Sequence, residues 1–260
     1  MKINKNIINV GIVGVAGRMG MAVARSVISN KKTSIKSGIE HKKHKAINLS
    51  IGDLLGQKKI NTKIISDKKE FFKDLDVVIE FGLPKATKEF LLEAKIKKVA
   101  YVSGSTGLNN STLNLMKKVG QHIPVFWAPN MSIGANLLKE VACQVAMRTG
   151  KEFDINLIDL HHKLKRDTPS GTAINIKNDI EKVQSKIKPR KKVNIIAMRA
   201  GDSTGEHTII FSGKGESLEL KHTSSSREIF SEGAVKVAEW LVGKPKGFYQ
   251  MHDYLNLKRK

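Results

Sequence analysis

Residues Ile7 to Gly20 read IINVGIVGVAGRMG. The segment Ile7 to Val13 alternates and runs apolar, as a buried strand does. Gly14, Gly17 and Gly20 follow, and Met19, Val23 and Val27 recur at helical spacing. Strand, glycine turn and helix in that order make a cradle for a pyrophosphate. Glycines let the backbone approach the phosphates, and the helix N-terminus faces their charge. The spacing is GxxGxxG, with Ala16 where the commoner GxGxxG form has its second glycine, so the glycines alone are a weak sign.

The next strand strengthens it. Ser34 to Ile39 ends in Glu40, 20 positions after Gly20, where an acidic residue can bind a ribose 2′-hydroxyl as an NAD site requires. His41, Lys42, Lys43, His44 and Lys45 come next, and a cationic cluster of this kind can hold the 2′-phosphate of NADP. The expected cofactor is therefore NADPH or NADH. Strands Asp76 to Phe81, Val99 to Val102 and Val125 to Trp127 continue the plan, with a helix from Pro84 to Ala94 that carries its proline near N1. Val102 is followed by small residues, Ser103 to Gly107, at the edge where ligands of open α/β sheets collect, and the last strand closes in Ala128 to Ser132. Residues 1–131 are expected to form a Rossmann-like, mainly parallel sheet with helices on both faces.

From Ser132 the rhythm changes. A helix from Ala135 to Met147, a strand from Asp154, a helix from Ala173 to Val183 and strands Val193 to Arg199, His207 to Ser212 and Ser217 to His222 suggest an α+β domain with an open mixed sheet. This second domain, residues 132–236, is assigned to substrate binding and to oligomerisation through the sheet face. Gly233 to Leu241 reads as a helix and Gly247 to Met251 as an apolar return, so residues 237–260 are expected to dock on the first domain. The fold class is α/β.

Within the second domain, Asp154 to Thr172 gathers the chemistry. His161 and His162 stand where the strand pattern stops, Lys165 is one loop's reach away, and Asp167, Thr168 and Pro169 break the backbone. Ser170, Gly171 and Thr172 then open a helix at its N-cap. Imidazoles, an ammonium and a helix start in one segment suit proton transfer beside an anion site. Neighbouring histidines on a strand point to opposite faces and no third ligand lies at useful spacing, so no metal is expected.

The bulk properties narrow the class. A chain of 260 residues, 40% hydrophobic, suits two domains. Its one cysteine, Cys143, lies in the apolar run Leu137 to Met147 and reads as a packed hydrophobe in a reducing, cytoplasmic setting. Lys2 and Lys5 before Ile7 to Ala16 imitate a secretory signal, but Gly11, Gly14 and Gly17 interrupt it and no cleavage site follows, so export is not expected. No window approaches the ~18 to 20 apolar residues of a membrane span. The net charge of +22 comes from lysines scattered end to end. With only 5% aromatic residues and no helix-turn-helix or RNA-binding signature, no nucleic-acid partner is expected.

GVAGRMG at Gly14, FGLP at Phe81, SGSTG at Ser103, APNMSIG at Ala128, LHHKLKRDTPSGTA at Leu160, RAGDSTGEHT at Arg199 and SSREIFSEGA at Ser224 together resemble the 4-hydroxy-tetrahydrodipicolinate reductase (dihydrodipicolinate reductase) family over nearly the whole chain. The resemblance implies NADPH- or NADH-dependent reduction of a small cyclic dicarboxylate in diaminopimelate and lysine biosynthesis, by a cytoplasmic homotetramer. It implies proton transfer by His161 and Lys165, and substrate binding by His162, Ser170, Gly171 and Thr172. For the cofactor it implies Gly14, Val15, Ala16, Gly17, Arg18 and Met19 at the pyrophosphate and Glu40 at the ribose. Gly104, Ser105, Thr106, Pro129, Asn130 and Met131 would surround the nicotinamide half. Arg166 and Thr168 replace the alanine or valine usual in the family, and the loop after Glu40 is unusually rich in lysine and histidine. Lys163, Lys165 or Arg227 could meet a second substrate carboxylate. Two other classes compete: another Rossmann-type amino-acid or semialdehyde dehydrogenase, and an NAD-binding redox regulator. The semialdehyde reaction needs a nucleophilic cysteine, and Cys143 sits in a helix rather than a loop.

Overall fold

The computed structural model describes residues 7–57, 59–186 and 191–256; Lys2 and Lys5 lie outside them. Among these residues two compact units emerge, one running up to Met131 and resuming at Phe230, the other running from Ser132 to Ile229.

The first unit runs β1 (Ile8–Val13), α1 (Arg18–Ser29), β2 (Thr33–Ile39), α2 (Ile51–Leu55), β3 (Ile64–Ile65), α3 (Lys68–Phe71), β4 (Val77–Glu80), α4 (Pro84–Lys97), β5 (Ala100–Ser103), α5 (Asn110–Gly120) and β6 (Pro124–Trp127). The second runs α6 (Ile133–Thr149), β7 (Asp154–His161), α7 (Gly171–Val183), β8 (Val193–Arg199), β9 (Gly205–Gly213) and β10 (Glu216–Ser224). The chain re-enters the first unit along α8 (Glu228–Leu241), then β11 (Gly247–Tyr249) and α9 (Met251–Tyr254).

In the first unit seven parallel strands lie in the order β11-β6-β5-β4-β1-β2-β3. Side chains alternate across a strand, so Val77 and Ile79 of β4 join the core under α1 and α8, while Val78 joins the opposite core with Phe71, Phe90 and Leu91. A sheet covered on both faces explains why these strands read as continuous apolar runs. The order reverses between β4 and β1, which opens a crevice at the carboxyl ends of those two strands.

In the second unit β7 pairs β8 in parallel and β9 antiparallel, giving the mixed order β10-β9-β7-β8. The inner face of this sheet, with Ile155, Leu157, Ile209 and Phe211, packs on Leu138, Ala142 and Ala146 of α6 and Ile176 and Ile180 of α7. Cys143 is 6% exposed in that core.

The return to the first unit begins at Phe230, earlier than the residue 237 expected. Gly233 lies so close to the backbone of Met131 that a Cβ there would stand 2.0 Å from its carbonyl oxygen, and Ala234 and Val235 are buried in the first unit's core. The structure adds helices α2, α3 and α5 to the expected elements, α5 being capped by Asn109, whose side chain accepts from the Thr112 N–H.

Candidate functional site

Five loops gather at the carboxyl edge of the parallel sheet: residues 14–17 after β1, Glu40 after β2, 81–83 after β4, 104–107 after β5 and 128–132 after β6. Gly14 adopts φ +71°, and a Cβ on Gly20 would stand 2.0 Å from the Gly14 carbonyl oxygen, so the turn closes on the helix only with glycine there. Gly17 caps α1 without a side-chain hydrogen bond, which leaves the capping of the first turn to a ligand or solvent. This cradle fits a dinucleotide pyrophosphate.

Within it the expected residues divide. Ala16, Gly17, Arg18 and Met19 keep exposed surface, whereas Val15 is 1% exposed and packed in the core, so its part is its backbone. Glu40 uses one oxygen to accept from the Ala16 N–H at 2.9 Å, tying the end of β2 to the glycine turn. Of the basic residues beyond it, His41 and His44 each accept a backbone N–H through Nδ1, from Lys43 and Ala46. Thr106, Pro129 and Asn130 are accessible, but Gly104 and Met131 are buried, and the Ser105 hydroxyl is turned inward.

Ser105 turns inward because of Glu80, a residue the sequence did not single out. Glu80 ends β4 with no exposed surface. Its carboxylate accepts from the hydroxyls of Thr87 (3.0 Å), Ser103 (2.9 Å), Ser105 (2.6 Å) and Tyr101 (3.3 Å), and from the Gly82 N–H. Burial, and then the adjacent Glu80 charge, pushes the Tyr101 phenol well above its usual pKa, so it stays a donor. One carboxylate thus ties the 81–83 loop to the 103–105 loop.

In the second unit β7 delivers His161 at its last position, 8% exposed, with the alternation of the strand placing Asp159 on the same face. His161 Nδ1 lies 3.0 Å from Asp159 Oδ1, close enough for an ion pair but without the alignment of a hydrogen bond. His207 of β9, directly across from Asp159, brings Nε2 to 3.3 Å from the same oxygen. The other oxygen accepts from the Ser170 N–H at 2.8 Å and from Arg199 at 3.2 Å. Burial pushes the Asp159 pKa up, yet the His161 and His207 rings and the Ser170 amide and hydroxyl outweigh it and hold the carboxyl far below the usual range.

His162, half-buried, points its Nε2 to within 3.4 Å of Arg227. Lys165 places its ammonium 2.8 Å from Asp167, which lowers the Asp167 pKa. Ser170 caps α7, its hydroxyl accepting from the Ala173 N–H at 3.1 Å and meeting His207 Nε2 at 3.3 Å, so in this structure the buried side chain is engaged within the unit. Gly171 and Thr172, in the first turn of α7, retain surface. Thr168-Pro169 is a cis peptide.

Sequence spacing shows no third ligand beside the two histidines, but the fold brings two more donors to His161. Asp159 and His207 both lie near His161, and donor atoms of the three fall within 4.8 Å of one another. The adjacent Arg199 guanidinium already balances the carboxylate, which makes the cluster a poorer seat for a dication. Two signals could have revealed it: an acidic residue two places before His161 on the same strand face, and the histidine of the GEHT motif.

Among the described residues no helix is long and apolar enough to cross a membrane. The family described as dihydrodipicolinate reductase, N-terminus, matches residues 8–131, and its C-terminal counterpart matches residues 134–255. The 4-hydroxy-tetrahydrodipicolinate reductase of Syntrophobacter fumaroxidans is 34% identical over 96% of this chain and 100% of its own length. That of Hahella chejuensis is 33% identical over 96% and 99%. A dihydrodipicolinate reductase from Paenisporosarcina sp. TG-14, solved with dipicolinate bound, shares the fold at a TM-score of 0.79 and 24% identity, over 96% of this chain and 99% of that one. Two family matches that together span both units, with relatives above 30% identity along nearly their whole length, show that the chain belongs to the dihydrodipicolinate reductase family.

Proposed function

We propose that the chain reduces 4-hydroxy-tetrahydrodipicolinate to tetrahydrodipicolinate with NADPH or NADH, in the route to diaminopimelate and lysine. The observation that carries the reading is the buried pairing of His161 with Asp159 at the end of β7, one loop away from Lys165 and the start of α7. When bound, the nicotinamide supplies a hydride. The chain's own groups then have two tasks, to assist departure of the 4-hydroxyl as water and to protonate the enamine carbon that reduction leaves behind. His161 and Lys165 are the donors. Lys165 rests on Asp167, 2.8 Å away, until substrate enters. His162 with Arg227, and the first turn of α7 at Gly171 and Thr172, receive the two carboxylates.

Glu40 and the basic residues after it serve either cofactor, the carboxylate for a free ribose and the lysines for a 2′-phosphate. A homotetramer belongs to the same reading. Ile158 and Leu160 of β7 stand beside Ile196 and Met198 of β8 on the outer sheet face, the last two 45% and 47% exposed, an apolar surface suited to a second copy. The setting is cytoplasmic, and neither nucleic acid nor membrane is a partner.

The test couples enzymatic synthesis of the unstable substrate to loss of the reduced-nicotinamide absorbance. Oxidation of NADPH or NADH that depends on substrate is expected; no oxidation with either cofactor would refute the assignment. Light scattering of the same sample reads the oligomer.

A further inference from the structure

Behind His161 stands a carboxylate held from four sides. Asp159 has no exposed surface, and its position is set by the Ser170 N–H, Arg199, His161 and His207. An ionised carboxylate only accepts, so hydrogen on the ring nitrogen 3.0 Å from Oδ1 is the arrangement that attracts rather than repels. That nitrogen, Nδ1 of His161, is fully buried. The ring's opposite edge faces Gly205, where a Cβ would come within 3.0 Å of Nε2. Gly205 has φ +156° and pairs with Ser224, so the β9 backbone passes the ring without a side chain to cover that edge.

We infer that Asp159 is a positioning residue for the reductase reaction, holding His161 with hydrogen on Nδ1 and presenting Nε2 as the atom that exchanges a proton with substrate. The inference rests on His161 being an acid in the reaction. Asp159 touches neither substrate nor cofactor in this role; it acts through the ring. It orients the imidazole, and it offsets the positive charge the ring carries when Nε2 is also protonated. Arg199 and the Ser170 N–H hold the carboxylate itself, and His207 packs edge-on against the His161 ring at 5.4 Å, limiting its rotation.

Two measurements test this. In the unmodified protein, nitrogen NMR of His161 should report hydrogen on Nδ1 in the neutral ring; hydrogen on Nε2 instead would overturn the inference without any substitution. In kinetics, Asp159→Asn should lower kcat by about 10- to 100-fold, with the KM for NADPH within about twofold. Placed on a His161→Gln background, Asp159→Asn should cause no further loss, because it has no ring left to act through. If His161→Gln is impaired and Asp159→Asn still lowers kcat by its full factor on that background, the inference fails alone. If His161→Gln keeps full kcat, the reading of His161 as an acid fails, and this inference with it.

Discussion

Each unit of this protein buries one carboxylate at or near the carboxyl end of a strand, and the two are surrounded by opposite chemistry. Glu80 is ringed by the hydroxyls of Thr87, Tyr101, Ser103 and Ser105 and one backbone N–H. Asp159 faces two imidazoles, a guanidinium and one backbone N–H. Neutral donors can only fix shape, so Glu80 builds loops against which a cofactor can lie. Titratable donors can change charge, so Asp159 builds a place where a proton can move. Buried carboxylates are costly without partners; which partners a strand end recruits separates scaffolding from chemistry.

The largest effect should come from the chemical side. Lys165→Ala is expected to lower kcat by roughly 10²-fold or more with modest change in KM, as for a general acid; steady-state kinetics with both nicotinamides reads this, and a change confined to KM would move Lys165 to binding. Glu80→Ala should break the scaffolding side. Several buried hydroxyls would lose their acceptor, for a loss of stability on the order of 3 kcal/mol in denaturant unfolding, and the cofactor KM should rise more than kcat falls. A fall in kcat alone would make the two carboxylates alike.

Acid should separate them more gently. The folded pKa of Asp159 lies far below its unfolded value of about 3.9. The folded state therefore binds fewer protons there, and the stability it contributes is complete above about pH 4 and is lost as pH falls below that value. In unfolding measured from about pH 5 to 2, Asp159→Asn should flatten the acid side of the curve. An unchanged slope would place the stabilisation elsewhere. The smallest effect belongs to Glu40→Ala, which should weaken NADH by a few-fold and NADPH less, as calorimetric titration can show. Equal weakening would mean that Glu40 serves the glycine turn through the Ala16 N–H and not the ribose.

Local chemistry was legible where it is written within about ten residues. The β1 strand, the Gly14–Gly20 turn and the α1 helix follow from apolar periodicity and glycine spacing, and Ser170 capping α7 follows from its position before an apolar helical run. Strand β8, Val193 to Arg199, is legible at its full extent because a short, mainly apolar run rich in Val and Ile reads as a strand. Helices α2 and α3, only five and four residues long, carry too few turns to show a period.

The sequence by itself determined that this chain has a dinucleotide-binding half and a half carrying His161, Lys165 and a helix start, because each of those features is a run of neighbouring residues. Only the tertiary structure decided what stands behind them. Arg199 and His207 reach Asp159 from 40 and 48 residues away, through the register of β7 with β8 and β9, and Ser103 and Ser105 reach Glu80 across β4 and β5. Strand pairing is a long-range choice made by the packing of whole sheets, and no local pattern states which side chain will lie opposite another.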